Sequence, residues 1–334
     1  MQGNRNKGTI WILLLLTSFL MMSVPIMVFA QDSDSATGTV TVGNSAPTAT
    51  SVEYVSSTYS IVTAYDPDNT AVWGVNFTLT DANTLSDIDN VTVYLYDDSV
   101  HSGDYSSVSP NGYDLITLNW VESTDTWVLD DGAFTEWTES TSVDPGTAYA
   151  GTTFEFTARF DISRGAYADT DWRATVIVYD DQMATDTTSA AGTVTMNVYL
   201  AISWSSSTFA YGSVTALSAN NTMVANRTLT IYANAQWELR FQATDFTAGG
   251  EPDVDIATVD TLVWSEGAVA NTGNSAWVRN VETTGLGTWD NQARMSATET
   301  PFSRDVHLWF TDTGDYTADV EYSVTVTMWV YENV

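Results

Sequence analysis

A chain of 334 residues with 42 acidic and 10 basic side chains carries a formal charge of −32, and it contains no cysteine. Such a charge disfavours nucleic acid and anionic membrane as partners, and it favours divalent cations or a saline medium that screens self-repulsion. Without cysteine there is neither a disulfide nor a thiol nucleophile, so stability has to come from the core, from assembly or from bound ions.

Residues 1–30 read as a signal peptide. Arg5 and Lys7 precede an apolar run from Ile10 to Met22, and Val28 and Ala30 stand at the positions a signal peptidase reads. The run is short for a bilayer span, a retained anchor being the competing reading. Cleavage after Ala30 removes two of the ten basic residues and none of the 42 acidic ones, leaving a charge of −34 and no lysine. No second apolar run of membrane length follows. The expectation is an extracellular or cell-surface protein with no membrane insertion after cleavage.

Residues 31–46 form an N-terminal extension that contains one strand-like segment, Gly38, Thr39, Val40, Thr41 and Val42. It lies ahead of Pro47, where the first globular part is expected to open. One reading pairs it within its own domain. The other adds it to an open sheet edge of a neighbouring copy, where backbone hydrogen bonds would supply the affinity and the protein would polymerise head to tail.

Beyond Pro47, apolar residues alternate with Thr and Ser in segment after segment, the period of half-buried strands. Trp73–Leu79, Val91–Tyr96, Phe154–Phe160, Ala174–Tyr179, Thr228–Tyr232 and Tyr322–Val330 all show it. The fold class expected is all-β, two immunoglobulin-like sandwich domains in tandem. A short repeat divides them: Thr193-Val-Thr-Met196 returns as Thr325-Val-Thr-Met328, which places domain 1 at 47–198 and domain 2 at 199–334.

Acidic residues cluster at the expected strand ends. Asp66 with Asp68, Asp87 with Asp89, Asp97 with Asp98 and Asp180 with Asp181 are the candidate ligands for Ca2+, because calcium takes six to eight oxygens and a D-x-D turn converges two carboxylates on one ion. Solvated turns are the competing reading. The last two pairs end matching segments, Val93-Tyr-Leu-Tyr-Asp-Asp98 and Val176-Ile-Val-Tyr-Asp-Asp181. Asn76, Asn90, Asn220 and Asn226 open glycosylation sequons. His101 and His307 are too few for a three-histidine zinc site, and the motifs of serine, metal and phosphate-binding enzymes do not occur. No catalytic residue is assigned, and the chain is not expected to be an enzyme. Most tryptophans are expected in the core; those in Trp120–Trp137 and Trp277–Trp289 are the candidates for stacking on sugars or on a neighbouring copy.

Two stretches carry a family resemblance. Thr39-Val-Thr-Val-Gly-Asn-Ser-Ala-Pro-Thr48, followed by Ser86-Asp-Ile-Asp-Asn-Val-Thr-Val-Tyr-Leu-Tyr96, resembles the secreted Ig-like surface proteins of archaea. Phe209-Ala-Tyr-Gly-Ser-Val214 and Asn234-Ala-Gln-Trp-Glu-Leu239, ahead of Ala243-Thr-Asp-Phe246, are similar to β-sandwich modules of cell-surface proteins. The resemblance implies an extracellular structural role in a surface layer, sheath or filament, with copies of itself as partner, and it carries no catalytic residues. The alternative readings are a secreted adhesin or carbohydrate-binding module that uses cell-surface glycans, and a glycoside-acting enzyme.

Overall fold

The computed structural model describes residues 43–67, 70–132, 136–146, 149–208, 210, 221–222, 226–249, 262–265, 275–278, 283–284, 294, 301–310 and 320–333. The chain is all-β, and the described residues include one short α-helix. Strands β1 (Thr48–Ser56), β2 (Ala64–Tyr65), β3 (Val72–Thr80) and β4 (Ile88–Asp97) lead to helix α1 (Asp98–His101). Then follow β5 (Leu115–Val121), β6 (Thr126–Asp130), β7 (Thr138–Glu139), β8 (Thr153–Asp161), β9 (Asp169–Asp180), β10 (Thr185–Ser189) and β11 (Val194–Met196). One sheet runs β1-β3-β8-β7; the other runs β2-β11-β9-β4-β5-β6, with β10 also paired to β9.

The period of two does what the sequence pattern implies. Val75, Phe77 and Leu79 of β3 and Phe156, Ala158 and Phe160 of β8 are all buried completely, as are Val91, Val93 and Leu95 of β4 and Ala174, Val176 and Val178 of β9. Together they form one continuous core. Alternate residues such as Asn76, Thr92 and Tyr94 point the other way and keep partial exposure.

Two tyrosine hydroxyls pin this core. Tyr54 accepts from the Ala174 N–H at 3.0 Å and donates to the Gly192 carbonyl at 3.0 Å, which joins β1 to the opposite sheet. Its pKa is pushed up to about 12, chiefly by burial. Tyr65 donates to the Gly74 carbonyl at 2.7 Å. A Cβ at Gly74 would meet the Ala158 carbonyl oxygen at 3.0 Å, so a larger residue there would press on β8.

The rest of the chain contributes β12 (Leu200–Trp204), β13 (Asn221–Thr222), β14 (Arg227–Ala233), β15 (Trp237–Ala243), β16 (Leu262–Ser265), β17 (Ser275–Val278), β18 (Thr283–Thr284), β19 (Phe302–Phe310) and β20 (Val326–Glu332). One sheet runs β12-β14-β19-β16-β17, with β13 also on β19, and a smaller one runs β18-β15-β20. Leu229, Ile231, Trp237, Leu239, Phe241, Val306 and Leu308 build a second apolar cluster. The sheet partners change between Met196, the last residue of β11, and Leu200, the first of β12. The two copies of the Thr-Val-Thr-Met repeat take different places: β11 lies parallel to β2, whereas β20 is antiparallel to β15.

Asn234 holds the chain together across that change of partners. It is 1% exposed and uses every polar group it has. Its Nδ2 donates to the carbonyls of Ala166 at 2.8 Å and Asn197 at 3.0 Å, and its Oδ1 accepts from the Tyr199 N–H at 2.6 Å. Its own carbonyl accepts from the Ala168 N–H at 3.2 Å. Asn234→Ala leaves the buried Ala166 carbonyl and two part-buried groups, the Tyr199 N–H and the Asn197 carbonyl, without this partner. The expected loss is about 1–3 kcal/mol, chiefly from the buried carbonyl, readable as a lower urea midpoint with an unchanged slope.

Candidate metal centre

β3 and β4 belong to different sheets, and the crossover between them starts at Asp81 and ends at Asp87. Asp81 directly follows β3, and Asp87 closes a one-turn 3-10 helix, Leu85–Asp87. β4 then pairs antiparallel with β9, so the start of β4 meets the end of β9, with Ile88 opposite Asp180. The register slips between Ile88 and Asn90, which makes Asp89 the extra residue of a bulge. The result is three carboxylates, Asp81, Asp87 and Asp180, whose nearest ligand oxygens all lie within 4.8 Å of one another.

Asp180 is fully buried and Asp81 is 1% exposed. Asp180 Oδ1 accepts from the N–H groups of Gln182 at 3.0 Å and Ala184 at 2.7 Å, and its Oδ2 accepts from Asn44 Nδ2 at 2.6 Å. Asp81 Oδ1 accepts from the Asn83 N–H at 2.6 Å. The second oxygens of Asp81 and Asp87 are buried and have no hydrogen-bond partner. Asp131 and Asp161 also carry an unpartnered buried oxygen. Among the described residues, however, only Asp81, Asp87 and Asp180 make a group of three. Carboxylates held this close together in a buried corner favour a proton or a cation among them. With oxygen-only ligands, the chemistry suits a hard cation, calcium above all.

The charge is felt by the groups themselves. Burial raises the pKa of Asp81, and the negative charges of Asp87 and Asp180 raise it further against the opposing Asn83 hydrogen bond. Asp181, beside the cluster, is raised by desolvation and by Asp87, Asp89, Glu122 and Asp180.

The aspartates named from the sequence lie in more than one place. Asp87, Asp89, Asp180 and Asp181 gather at one end of the sheet. Asp97 and Asp98 lie at the other, because β4 and β9 run in opposite directions and their matching Tyr-Asp-Asp ends point apart. There Asp97 caps α1 by accepting from the Ser99 N–H at 3.0 Å, and Asp98 pairs with Arg173 at 3.0 Å. Asp66 accepts from Asn197 Nδ2 at 2.6 Å, and Asp68 lies outside the described residues. Asp81 was not among the named residues. The Asp81-Ala-Asn83 turn directly after the β3 pattern was the available signal.

The other expectations fall as follows. The signal peptide, the strand segment Gly38–Val42 and Asn220 lie outside the described residues. No helix among the described residues is long and apolar enough to cross a membrane. Asn226 is exposed. Asn76 donates to Glu155 at 2.5 Å and Asn90 to Asp89 at 2.7 Å. His101 makes a buried 2.7 Å contact with Asp114, and His307 sits within β19. The tryptophans of the 120–137 region do not form an exposed platform. Trp120 faces the core from β5 with no exposure, and Trp137 is 3% exposed with its N–H on the Gly112 carbonyl. Trp127, half-buried, donates to Asp144 at 3.0 Å.

A second concavity lies on the outward face of the same sheet. It is a cleft of about 300 Å³, floored by Thr92 and Tyr94 of β4, Thr117 and Asn119 of β5 and Asp130 of β6. Residues 106–110 form its wall. Tyr105 anchors that wall by stacking on Tyr96 at 4.6 Å and tilting against Tyr94 at 5.1 Å.

No protein-family model matches the chain, and no curated protein matches it significantly. Among solved structures it is similar to a two-domain protein with unknown function from Bacteroides fragilis NCTC 9343, at 11% identity over 78% of this chain and 88% of that one. The TM-score is 0.13, too low a likeness to bear on fold or function.

The raised Asp81 pKa fixes the sign of a pH effect. Between the unfolded value of 3.8 and the higher folded one, the folded chain holds more protons than the unfolded chain. Stability from this group is therefore complete below 3.8 and is lost as pH rises through the folded pKa. In chelator, the melting temperature is expected to fall as pH rises from acid toward neutral. Asp81→Asn is expected to flatten that slope and to raise the chelator melting temperature at neutral pH.

Proposed function

We propose that this protein is an exported, non-enzymatic structural subunit of an extracellular filament or sheath, whose sandwich is closed by calcium bound at Asp81, Asp87 and Asp180. The observation that carries the calcium reading is the buried carboxylate trio with unpartnered oxygens on Asp81 and Asp87. Extracellular calcium modules work at dissociation constants of about 10⁻⁴–10⁻³ M, so calcium outside a cell would keep such a site filled. Asp81, Asp87 and Asp180 would hold the ion, and its two charges would offset the mutual repulsion of the three.

The structural role rests on the resemblance to archaeal surface proteins and on the strongly acidic, cysteine-free composition. Self-assembly through residues 37–43 rests on the sequence pattern of that segment. A carbohydrate-binding role is the second reading, favoured by the Tyr94 cleft: hydroxyl, amide and carboxylate groups beside a tyrosine suit a neutral, polyhydroxy ligand, and Asp130 repels anionic ones.

Calcium at a hundredfold excess over its dissociation constant is expected to stabilise the protein by about 2.7 kcal/mol, a rise of roughly 5–10 °C in melting temperature. Magnesium, which demands a tighter octahedral shell, is expected to do less. An unchanged melting temperature in chelator would remove the calcium reading. For assembly, electron microscopy of the exported protein with and without residues 31–44 is decisive: polymers that persist unchanged after the deletion exclude strand exchange. Glycan binding abolished by Tyr94→Ala in a protein that stays monomeric would instead establish the second reading.

A further inference from the structure

Among the described residues, the carboxylate cluster meets the N-terminal extension at Asn44. Asn44 Nδ2 donates to Asp180 Oδ2 at 2.6 Å, and the next residue's N–H, that of Ser45, donates to Asn83 Oδ1 at 3.1 Å. Asn83 in turn donates its backbone N–H to Asp81 at 2.6 Å. Two consecutive residues of the extension are thus attached to two of the segments that carry the carboxylates. Four residues later the Ala49 N–H donates to Asp186 at 2.8 Å and β1 is under way.

We infer that Asn44 is a fourth ligand of the cation and that the ion therefore fixes the point at which the N-terminal extension joins the sandwich. This inference rests on the calcium reading of the trio. Its physical basis is the two-faced chemistry of a side-chain amide. Facing a lone carboxylate, the amide presents its NH2 group, as Asn44 does to Asp180. With a cation seated among Asp81, Asp87 and Asp180, the same carboxylate oxygen turns its lone pairs to the metal. A half-turn about χ2 then brings the amide carbonyl, a normal calcium ligand, to the ion.

Three carboxylates and one amide supply four side-chain oxygens, more if a carboxylate binds through both, and water completes a shell of six to eight. Asp81 supplies the independent sign that something belongs there, since it is 1% exposed and its Oδ2 has no partner. Asn44 itself is exposed, so an ion has a route in from solvent on that side. Gln182, whose Nε2 reaches only to 3.5 Å from Asp87 Oδ1, is the weaker amide of the cluster.

The test uses the mature full-length protein and Tb3+ as a luminescent calcium substitute excited through the aromatic side chains, with Ca2+ competition giving the affinity. Asn44→Ala is expected to weaken Ca2+ binding at least tenfold without changing the melting temperature in chelator by more than a few degrees. Asn44→Asp, which puts a carboxylate where the amide carbonyl would bind, is expected to restore or tighten it. Gln182→Ala is expected to leave affinity within about twofold.

Wild-type affinity in Asn44→Ala, with Asp81→Asn still abolishing binding, overturns the role of Asn44 and leaves the trio as the site. No Tb3+ signal and no Ca2+ response in the wild-type protein overturns the calcium reading itself. Equal loss in Asn44→Ala and Asn44→Asp also counts against ligation, because only a ligand role is rescued by the carboxylate.

Discussion

Three carboxylates in one buried corner set a constraint that the rest of the N-terminal sandwich has to meet. At separations up to 4.8 Å, each ionised pair repels by about 3.5 kcal/mol even at an effective dielectric of 20. All three ionised together would cost about 10 kcal/mol, comparable with the 5–15 kcal/mol that keeps an ordinary domain folded. The fold meets part of this cost with hydrogen bonds: two backbone N–H groups and an amide on Asp180, and one N–H on Asp81. The remainder falls to a proton on Asp81 or to a cation. A proton and a cation would compete for the same oxygens.

The corner exists because of how the sheets are connected. A crossover from β3 in one sheet to β4 in the other must pass over the end of the sandwich, and its two ends carry Asp81 and Asp87. Antiparallel pairing of β4 with β9 then delivers Asp180 to the same place. The apolar packing of Val75, Phe77 and Leu79 against Val91, Val93 and Leu95 keeps those strand ends together whether or not an ion is present. Tyr54 and Tyr65 add cross-links within the same core. Strain from unmatched charge is held by a core large enough to tolerate it.

Much of this was legible in the sequence. The alternation in Trp73–Leu79, Val91–Tyr96, Phe154–Phe160 and Ala174–Tyr179 gave strands whose inward faces follow a period of two, and it made the all-β class readable without any structure. The choice of cation ligands was only half readable. Asp87 and Asp180 stand out as acidic strand ends, but which acidic ends meet depends on strand direction and pairing, and those are long-range properties. The Tyr-Asp-Asp repeat suggested kinship between Asp97–Asp98 and Asp180–Asp181, whereas antiparallel pairing sends them to opposite ends. Asp81 was hidden for a different reason: it has no acidic neighbour in sequence, and its two partners lie 6 and 99 positions away. The tryptophans misled in the same sense. Trp120 and Trp137 lie among turn residues in the sequence, yet the register of β5 and the 2.5 Å contact from Trp137 to Gly112 turn them inward.

The acidic character of the whole chain bears on how cations act at two levels. A formal charge of −32 produces a diffuse repulsion between copies that any salt screens within a Debye length of about 8 Å at physiological ionic strength. The Asp81, Asp87 and Asp180 corner is different in kind, because its charges are desolvated and closely spaced and bulk salt screens them poorly. Monovalent salt therefore relieves the first problem and leaves the second, which only a proton or a cation held among the three carboxylates would offset.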